Sequence, residues 1–334
     1  MPRPMRAPER WRAAAIAWPT ALALASGGCA VPSGAGLSPA VHGRWSGAPP
    51  LHHARAAHAV VGTGDALIAL GGTGANGPVL EVERFDGHAW HDVARLPGRG
   101  LNAPAAAVVG RRLYLIGGFD MATNVPSDQV LVYDLDRGTW SAGPPLPAPR
   151  GGHAAAVLDG RIHVIGGGNS VSTIADHDEL DPVNGRWTRR APLPRSEGSP
   201  AAVVHAGRLH AIGGRSGPRD FGDVYVWDPA TDRWSAGPSI EPRGTAGAVE
   251  ACGAILLFGG ESQAERRSLA SVLRLDPGSA RWTAVEPMPT ARNFARAVPL
   301  GDAIYVVGGD PQAGNSHAGA GSAVVERYEP RCAR

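Results

Sequence analysis

Arginines, histidines and acids carry most of the chemistry this chain could perform, and most of them recur. Arg55, Arg99, Arg150, Arg195, Arg243 and Arg292 follow one another at similar intervals. A guanidinium can grip a carboxylate or steady a developing negative charge. Six copies in step argue for a task that every unit needs, such as bonding carbonyls or acids between neighbouring units. Asp86, His88, His91 and Asp92 bring metal-ligand atoms together, but around Gly87 they read as a solvated outer hairpin, and no metal site is expected. His163 and His210 share a repeat position with Ile68, Tyr114, Leu256 and Tyr305, so they are expected to pack rather than to ligate. The chain has no lysine, which excludes Schiff-base chemistry, a P-loop and a lysine general base.

The elements that must position these side chains are short and repeated. Gly-Gly pairs end apolar runs at Gly71-Gly72, Gly117-Gly118, Gly166-Gly167, Gly213-Gly214, Gly259-Gly260 and Gly308-Gly309, which marks six units. Tryptophan keeps step at Trp45, Trp90, Trp140, Trp187, Trp234 and Trp282, mostly after an apolar-acid pair such as Tyr133-Asp134 or Leu180-Asp181. Residues 151–158, 161–165, 175–181 and 186–191 read as four successive strands, with turns such as Asp159-Gly160 between the first two. A period of roughly 47 residues with four short strands per unit is the signature of a propeller blade. The first strands are rich in alanine and must converge on the axis. The last unit reaches Tyr328-Glu329 and ends at Arg334, one residue before its tryptophan is due, while Trp45 precedes the first unit. The strand around Trp45 should therefore complete the last blade and remove exposed sheet edges.

The chain has 334 residues with 46 Gly, 30 Pro and 19% charged residues, a folded composition rich in turns. Its net charge is +2, but Arg3, Arg6, Arg10 and Arg12 sit against Glu9 in the first twelve residues. The remainder is nearly neutral, which leaves no basic footprint for nucleic acid. Residues 1–29 read as an export signal: an arginine-rich start, a short apolar run and small residues. Ala23-Leu24-Ala25 suits an ordinary signal peptidase, and Ser26-Gly27-Gly28-Cys29 suits lipoprotein processing, though Ser26 stands where a larger apolar residue is usual. Lipidation of Cys29 is expected, followed by a linker over 30–40 and the propeller over 41–334. The implied location is the bacterial cell envelope, lipid-anchored or periplasmic, or otherwise the exterior. Cys252 and Cys332 fall in different blades and at different radii, so they are expected to be buried, inert and unbridged.

Arg150-Gly151-Gly152-His153, Arg161-Ile162-His163-Val164-Ile165-Gly166-Gly167, Leu180-Asp181 and Trp187 resemble the kelch repeat, and the resemblance covers residues 41–330. It implies an all-β, six-bladed propeller, and it implies structural roles for His58 and His153 where inner strands begin. Galactose oxidase, also a kelch protein, uses copper with tyrosine and cysteine. Here the five tyrosines fall in core strands and no cysteine is placed to crosslink one, so no cofactor is expected.

In kelch proteins that bind ligands, contacts follow the opening arginine and the Gly-Gly pair on one face. Carried onto this chain, the first set is Ser196, Glu197, Thr245, Asn293 and Phe294, and the second is Phe119, Met121, Arg215, Glu261, Gln263 and Asp310. Arg296 stands where other inner strands carry small residues and could point a charge into the channel. The expected function is a non-catalytic module, monomeric, binding a protein, peptide or carbohydrate at this mouth, with a membrane reached only through a lipid anchor. The alternative is a sugar-modifying enzyme, because periplasmic sialic-acid mutarotases also have six kelch blades and an export signal; Glu261, Arg215 and Asp310 could then supply acid and base. Having no repeat-wide task, Arg215, Glu261, Asp310, Asn293 and Phe294 are expected to face solvent and tolerate alanine. Trp187 and Trp234 are expected to fill buried space between blades.

Overall fold

The computed structural model describes residues 43–314 and 320–332; the leader, Cys29 and the linker lie outside them. Six four-stranded antiparallel sheets stand around an axis, and the described residues contain no helix. Side-chain size decides radius. The inner strands, such as Ala105–Val109 and Ala154–Leu158, are small, as convergence on the axis demands. The second strands pack between blades and are mostly apolar, and Ala254–Phe258 is buried at every position. The fourth strands form the rim, and Thr139–Ala142 is largely exposed. Asp159 and Gly160 both take positive φ, 50° and 73°, as a two-residue hairpin between twisted strands requires.

The last blade is built from both ends of the described chain. Gly43–Ala48 pairs with Val325–Pro330, and Trp45 lies opposite Tyr328. The strand Val325–Pro330 is thereby paired along both of its edges.

Neighbouring blades are tied by one repeated backbone bond. The second glycine of each Gly-Gly pair donates to a carbonyl of the next blade: Gly118 to Arg150 at 2.9 Å, Gly214 to Arg243 at 3.0 Å, and, around the seam, Gly309 to Arg55 at 2.9 Å. All twelve of these glycines have positive φ, and a Cβ on Gly213 would meet the Arg243 carbonyl at 2.5 Å, which is why the pair recurs.

That bond also fixes the arginine register, which differs from the one read in the sequence. Arg55, Arg150, Arg243 and Arg292 are buried, and their side chains reach Glu83, Asp178, Ser271 and Glu326 within their own blades, so only their carbonyls serve the preceding blade. Arg99 and Arg195 stand two residues too early. Leu101 and Glu197 occupy the register position, because their carbonyls accept from Gly72 and Gly167. Arg99 is exposed, while Arg195 still reaches Asp223.

The tryptophans also differ in part from expectation. Five of the six rim tryptophans donate from Nε1 to a carbonyl of the preceding blade, as Trp234 does to Ala191 at 2.8 Å. Trp187 and Trp234, however, are half-buried, because the fourth strand meets solvent; Trp90 and Trp227 are the deeply buried indoles.

The two cysteines are bridged, contrary to expectation. Cys252 and Cys332 form a disulfide across a Cα separation of 5.0 Å. Cys252 lies in the turn after an inner strand and Cys332 follows a third strand. First and third strands of a blade run in the same direction, so both cysteines emerge on one face, and two residues beyond Pro330 suffice to reach the neighbouring blade. Strand polarity decides this contact, and radius alone misjudges it.

Candidate functional site at the propeller mouth

Each inner strand is entered through a residue with positive φ: Ala57, Ala103, Gly152, Ser199, Thr245 and Phe294. Their backbones form a chain around the axis. Ala103 donates to Ala57 at 2.8 Å, Gly152 to Ala103 at 2.9 Å, Ser199 to Gly152 at 2.5 Å, Thr245 to Ser199 at 3.1 Å and Phe294 to Thr245 at 3.1 Å. Thr245 and Phe294 are therefore buried members of this ring and not solvated loop tips. The Phe294 side chain clusters with Ala57 and Ala103 of the first two blades and with Phe119, and the Arg215 guanidinium lies 5.6 Å from its ring centre. A residue of the sixth blade that touches the first, second and fourth must cross the axis.

Outside this ring lies a second one. The residue after each Gly-Gly pair makes a backbone bridge to the residue after the register position. The bridges are Thr73 with Ala56, Phe119 with Asn102, Gly168 with Gly151, Arg215 with Gly198, Glu261 with Gly244 and Asp310 with Asn293. The repeat demands only the backbone here, so the side chains are free to differ. Phe119 lies over Gly151 of the next blade, where a Cβ would enter the ring, and the Arg215 stem lies over Gly244, 3.2 Å from a Cβ built there.

The structure thus brings Phe119, Arg215, Glu261, Asp310, Asn293 and Phe294 to one mouth, but most of them are not exposed. Arg215 donates to Glu261 at 2.5 Å, and both are buried. The second Glu261 oxygen accepts from the Gly314 amide at 3.2 Å. Burial pushes the Glu261 carboxyl up, and Arg215 beside it opposes the shift. Asp220 accepts the Gln263 amide at 2.5 Å and is also raised by burial, against that bond and Arg215. Asn293 is buried and donates to Ser268 at 2.9 Å and to the Gln312 carbonyl at 2.7 Å. The expected tolerance to alanine therefore does not hold for Arg215, Glu261, Asn293 or Phe294, because truncation would strand buried partners. Asp310 and Gln263 remain half-exposed.

Two other expected residues lie elsewhere. Ser196 is exposed and upstream of the register. Glu197 is fully buried at the position four other blades give to arginine; its carboxyl oxygens have no hydrogen-bond partner among the described residues, and burial pushes it up to about 8. Arg296 lies in the channel, where its place on an inner strand put it. Met121 is at the mouth, with its sulfur 3.5 Å from the Thr73 hydroxyl. Thr73 and Asn102, hydrogen-bonded at 2.7 Å, belong to the outer ring and were missed; the place of Thr73 directly after Gly71-Gly72 is the signal that finds them. A groove of about 470 Å³ opens between Phe119 and Arg215 over Gly152, Ser172 and Ser199.

Of the other sequence candidates, His163 and His210 are buried as expected; His163 bonds His177 at 3.0 Å against Trp227. Asp86 is spent on its own turn, accepting the His88 and Ala89 amides at 2.8 Å each.

Six four-stranded blades, turned by Gly-Gly pairs around a narrow channel, define a kelch propeller. The chain belongs to the kelch-repeat family: residues 105–309 match the family model described as KLHDC2/KLHL20/DRC7 Kelch-repeats domain. It is 33% identical over 151 residues to Kelch-like protein 38 of Rattus norvegicus, covering 42% of this chain and 26% of that one. To Kelch repeat and BTB domain-containing protein 13 of Homo sapiens it is 35% identical over 95 residues, 28% of this chain and 21% of that one. To Kelch-like protein 23 of Mus musculus it is 24% identical over 250 residues, 74% of this chain and 36% of that one. The chain thus spans well under half the length of these curated relatives. Among solved structures, "Structure of YjhT" shares the fold with a TM-score of 0.71 at 16% identity, covering 84% of this chain and 96% of that one.

Proposed function

We propose that the protein is an exported, monomeric binding module of the cell envelope that takes a protein, peptide or glycan at the propeller mouth. The observation that carries this reading is the outer ring, where Phe119, Arg215, Glu261 and Asp310 converge at a position whose repeat-wide duty is met by backbone alone. Such a concave mouth with a few oriented polar groups is the default ligand site of a fold of this kind. Kelch propellers generally bind proteins, which favours a protein or peptide ligand. Export is supported by the leader and by the Cys252–Cys332 disulfide, since such bonds persist in oxidising compartments. Lipidation at Cys29 would hold the module at a membrane.

The Arg215, Asp220 and Glu261 cluster favours one second reading, a sugar-modifying enzyme. Two carboxyls raised by burial beside one guanidinium are the ingredients of proton transfer.

A thermal-shift screen of peptides, glycans and sugar metabolites separates the two. A stabilising ligand with no turnover supports the binding module, and mutarotation or epimerisation of a sugar hit supports the enzyme. Cell fractionation of the wild type against Cys29→Ser tests the anchor: the wild type should sediment with membranes and the variant should not.

A further inference from the structure

Arg296 opens the inner strand of the sixth blade, two residues past Phe294. The same step in the other blades gives Ala59, Ala105, Ala154, Ala201 and Gly247, so five blades bring at most a methyl group to this level of the axis and one brings a guanidinium. The substitution is not a scaffold need. The cavity here, about 170 Å³, is otherwise lined almost wholly by alanine, proline, glycine and valine.

Its electrostatics are one-sided. Nε donates to the His58 carbonyl at 2.8 Å, which fixes the plane of the fork. Neither terminal nitrogen has a hydrogen-bond or ion-pair partner among the described residues. Burial pushes Arg296 down to about 10, so it is still charged at neutral pH, and no carboxylate opposes the shift. The adjacent cations are already matched, Arg55 by Glu83 and Arg292 by Glu326. His153, the imidazole in the cavity wall, is pushed down to about 3, first by burial and then by Arg150 and Arg296, so it is neutral. His58 is displaced in the same direction, by burial and then by Arg55 and Arg296. The Arg296 side chain is half-buried in the channel wall with no counter-charge beside it, and two free donors in a planar fork match the two oxygens of a small oxyanion.

We propose that the central channel is an anion site, in which the terminal nitrogens of Arg296 hold a small monovalent oxyanion such as a carboxylate. Phe294 crosses the axis on the mouth side, so this site is separate from the outer ring and stands whether or not the mouth reading does. Carboxylates and other small oxyanions share this chemistry, and the test distinguishes a carboxylate site from a general one.

The purified full chain is melted in rising sodium formate, acetate and nitrate, beside two variants. Arg296→Ala gives the sixth blade the residue that four others carry at this level. Arg296→Gln keeps a donor but loses the charge. The wild type should show a saturating rise in Tm, and both variants should need about 10-fold more anion or more for the same rise. Response to formate and acetate but not nitrate supports a carboxylate site, and response to all three supports a general site for small free oxyanions. The proposal is overturned if the wild type shows no saturable shift, or if all three proteins respond alike.

Discussion

Trp45 and Tyr328 face each other across the seam of the ring with their ring centres 4.8 Å apart, and both reach the same residue of the preceding blade. Trp45 Nε1 donates to the Glu286 carbonyl at 3.1 Å, and the Tyr328 hydroxyl donates to the Glu286 carboxylate at 3.1 Å. The N-terminal strand is therefore bonded to the third strand of its own blade and anchored to the fifth blade.

Deleting residues 43–48 should open that seam and expose the edge of Val325–Pro330, whereas deleting residues 30–36 should leave the propeller intact. Size-exclusion chromatography and thermal melts check this. The first truncation should self-associate or melt early, and equal behaviour of both would contradict the closure.

The Cys252–Cys332 bond spans 80 residues of sequence. Cys252→Ser is expected to lower stability by about 2–4 kcal/mol, with Cys332→Ser matching it and the double variant no worse. Urea melts in the presence and absence of reductant measure this; reductant should affect only the wild type.

Glu197 gives the protein a pH signature. Its carboxyl is raised by burial from an ordinary 4.5 to about 8, with Asp223 adding to the shift and Arg195 opposing it. The folded protein keeps a proton that the unfolded chain has lost, so the contribution of this group to stability is lost progressively as pH rises from about 4.5 to about 8. The full effect is on the order of 3–5 kcal/mol. The buried histidines act in the opposite direction, because their depressed values favour the folded state as pH rises to about 6.5. Comparing Glu197→Gln with the wild type cancels them. Urea melts at pH 5 and pH 8 should show the variant losing less than the wild type, and identical losses would sink the assignment.

The blade count, the closing strand and the mouth were legible because the repeat prints them. Gly-Gly needs positive φ in every blade, and the orphan Trp45 has one vacant place to fill. What the sequence hid depends on registers that slide. Arg195 resembles its fellows after Pro194, yet the backbone bond from Gly167 selects Glu197. The disulfide was misjudged because contacts between blades depend on which face a strand ends on, and no spacing along the chain states this. Phe119, Arg215, Glu261, Asp310, Asn293 and Phe294 do converge on one face, but the burial of most of them was not legible. Arg215 and Glu261 lie 46 residues apart, and only the stacking of the fourth blade on the fifth turns two loop residues into an ion pair.

That pair should behave as a unit. Removing either partner alone should cost about 3–5 kcal/mol, since it leaves a buried charge, while Arg215→Met combined with Glu261→Leu should cost clearly less than the sum. Chemical denaturation of the two single variants and the double completes the cycle, and strict additivity would mean the pair is not coupled.

The central claim, a ligand site at the mouth, is tested most directly by isothermal titration of the best ligand from the screen. The variants keep both members of the buried pair: Asp310→Ala, Gln263→Ala and Phe119→Ala, with Asp302→Ala in a turn on the opposite face as control. The account predicts a stability change of about 0.5 kcal/mol for Asp310→Ala. It also predicts affinity at least about 10-fold weaker for the mouth variants, with the control unchanged. Normal binding by all three mouth variants together with loss of binding in Asp302→Ala would contradict it.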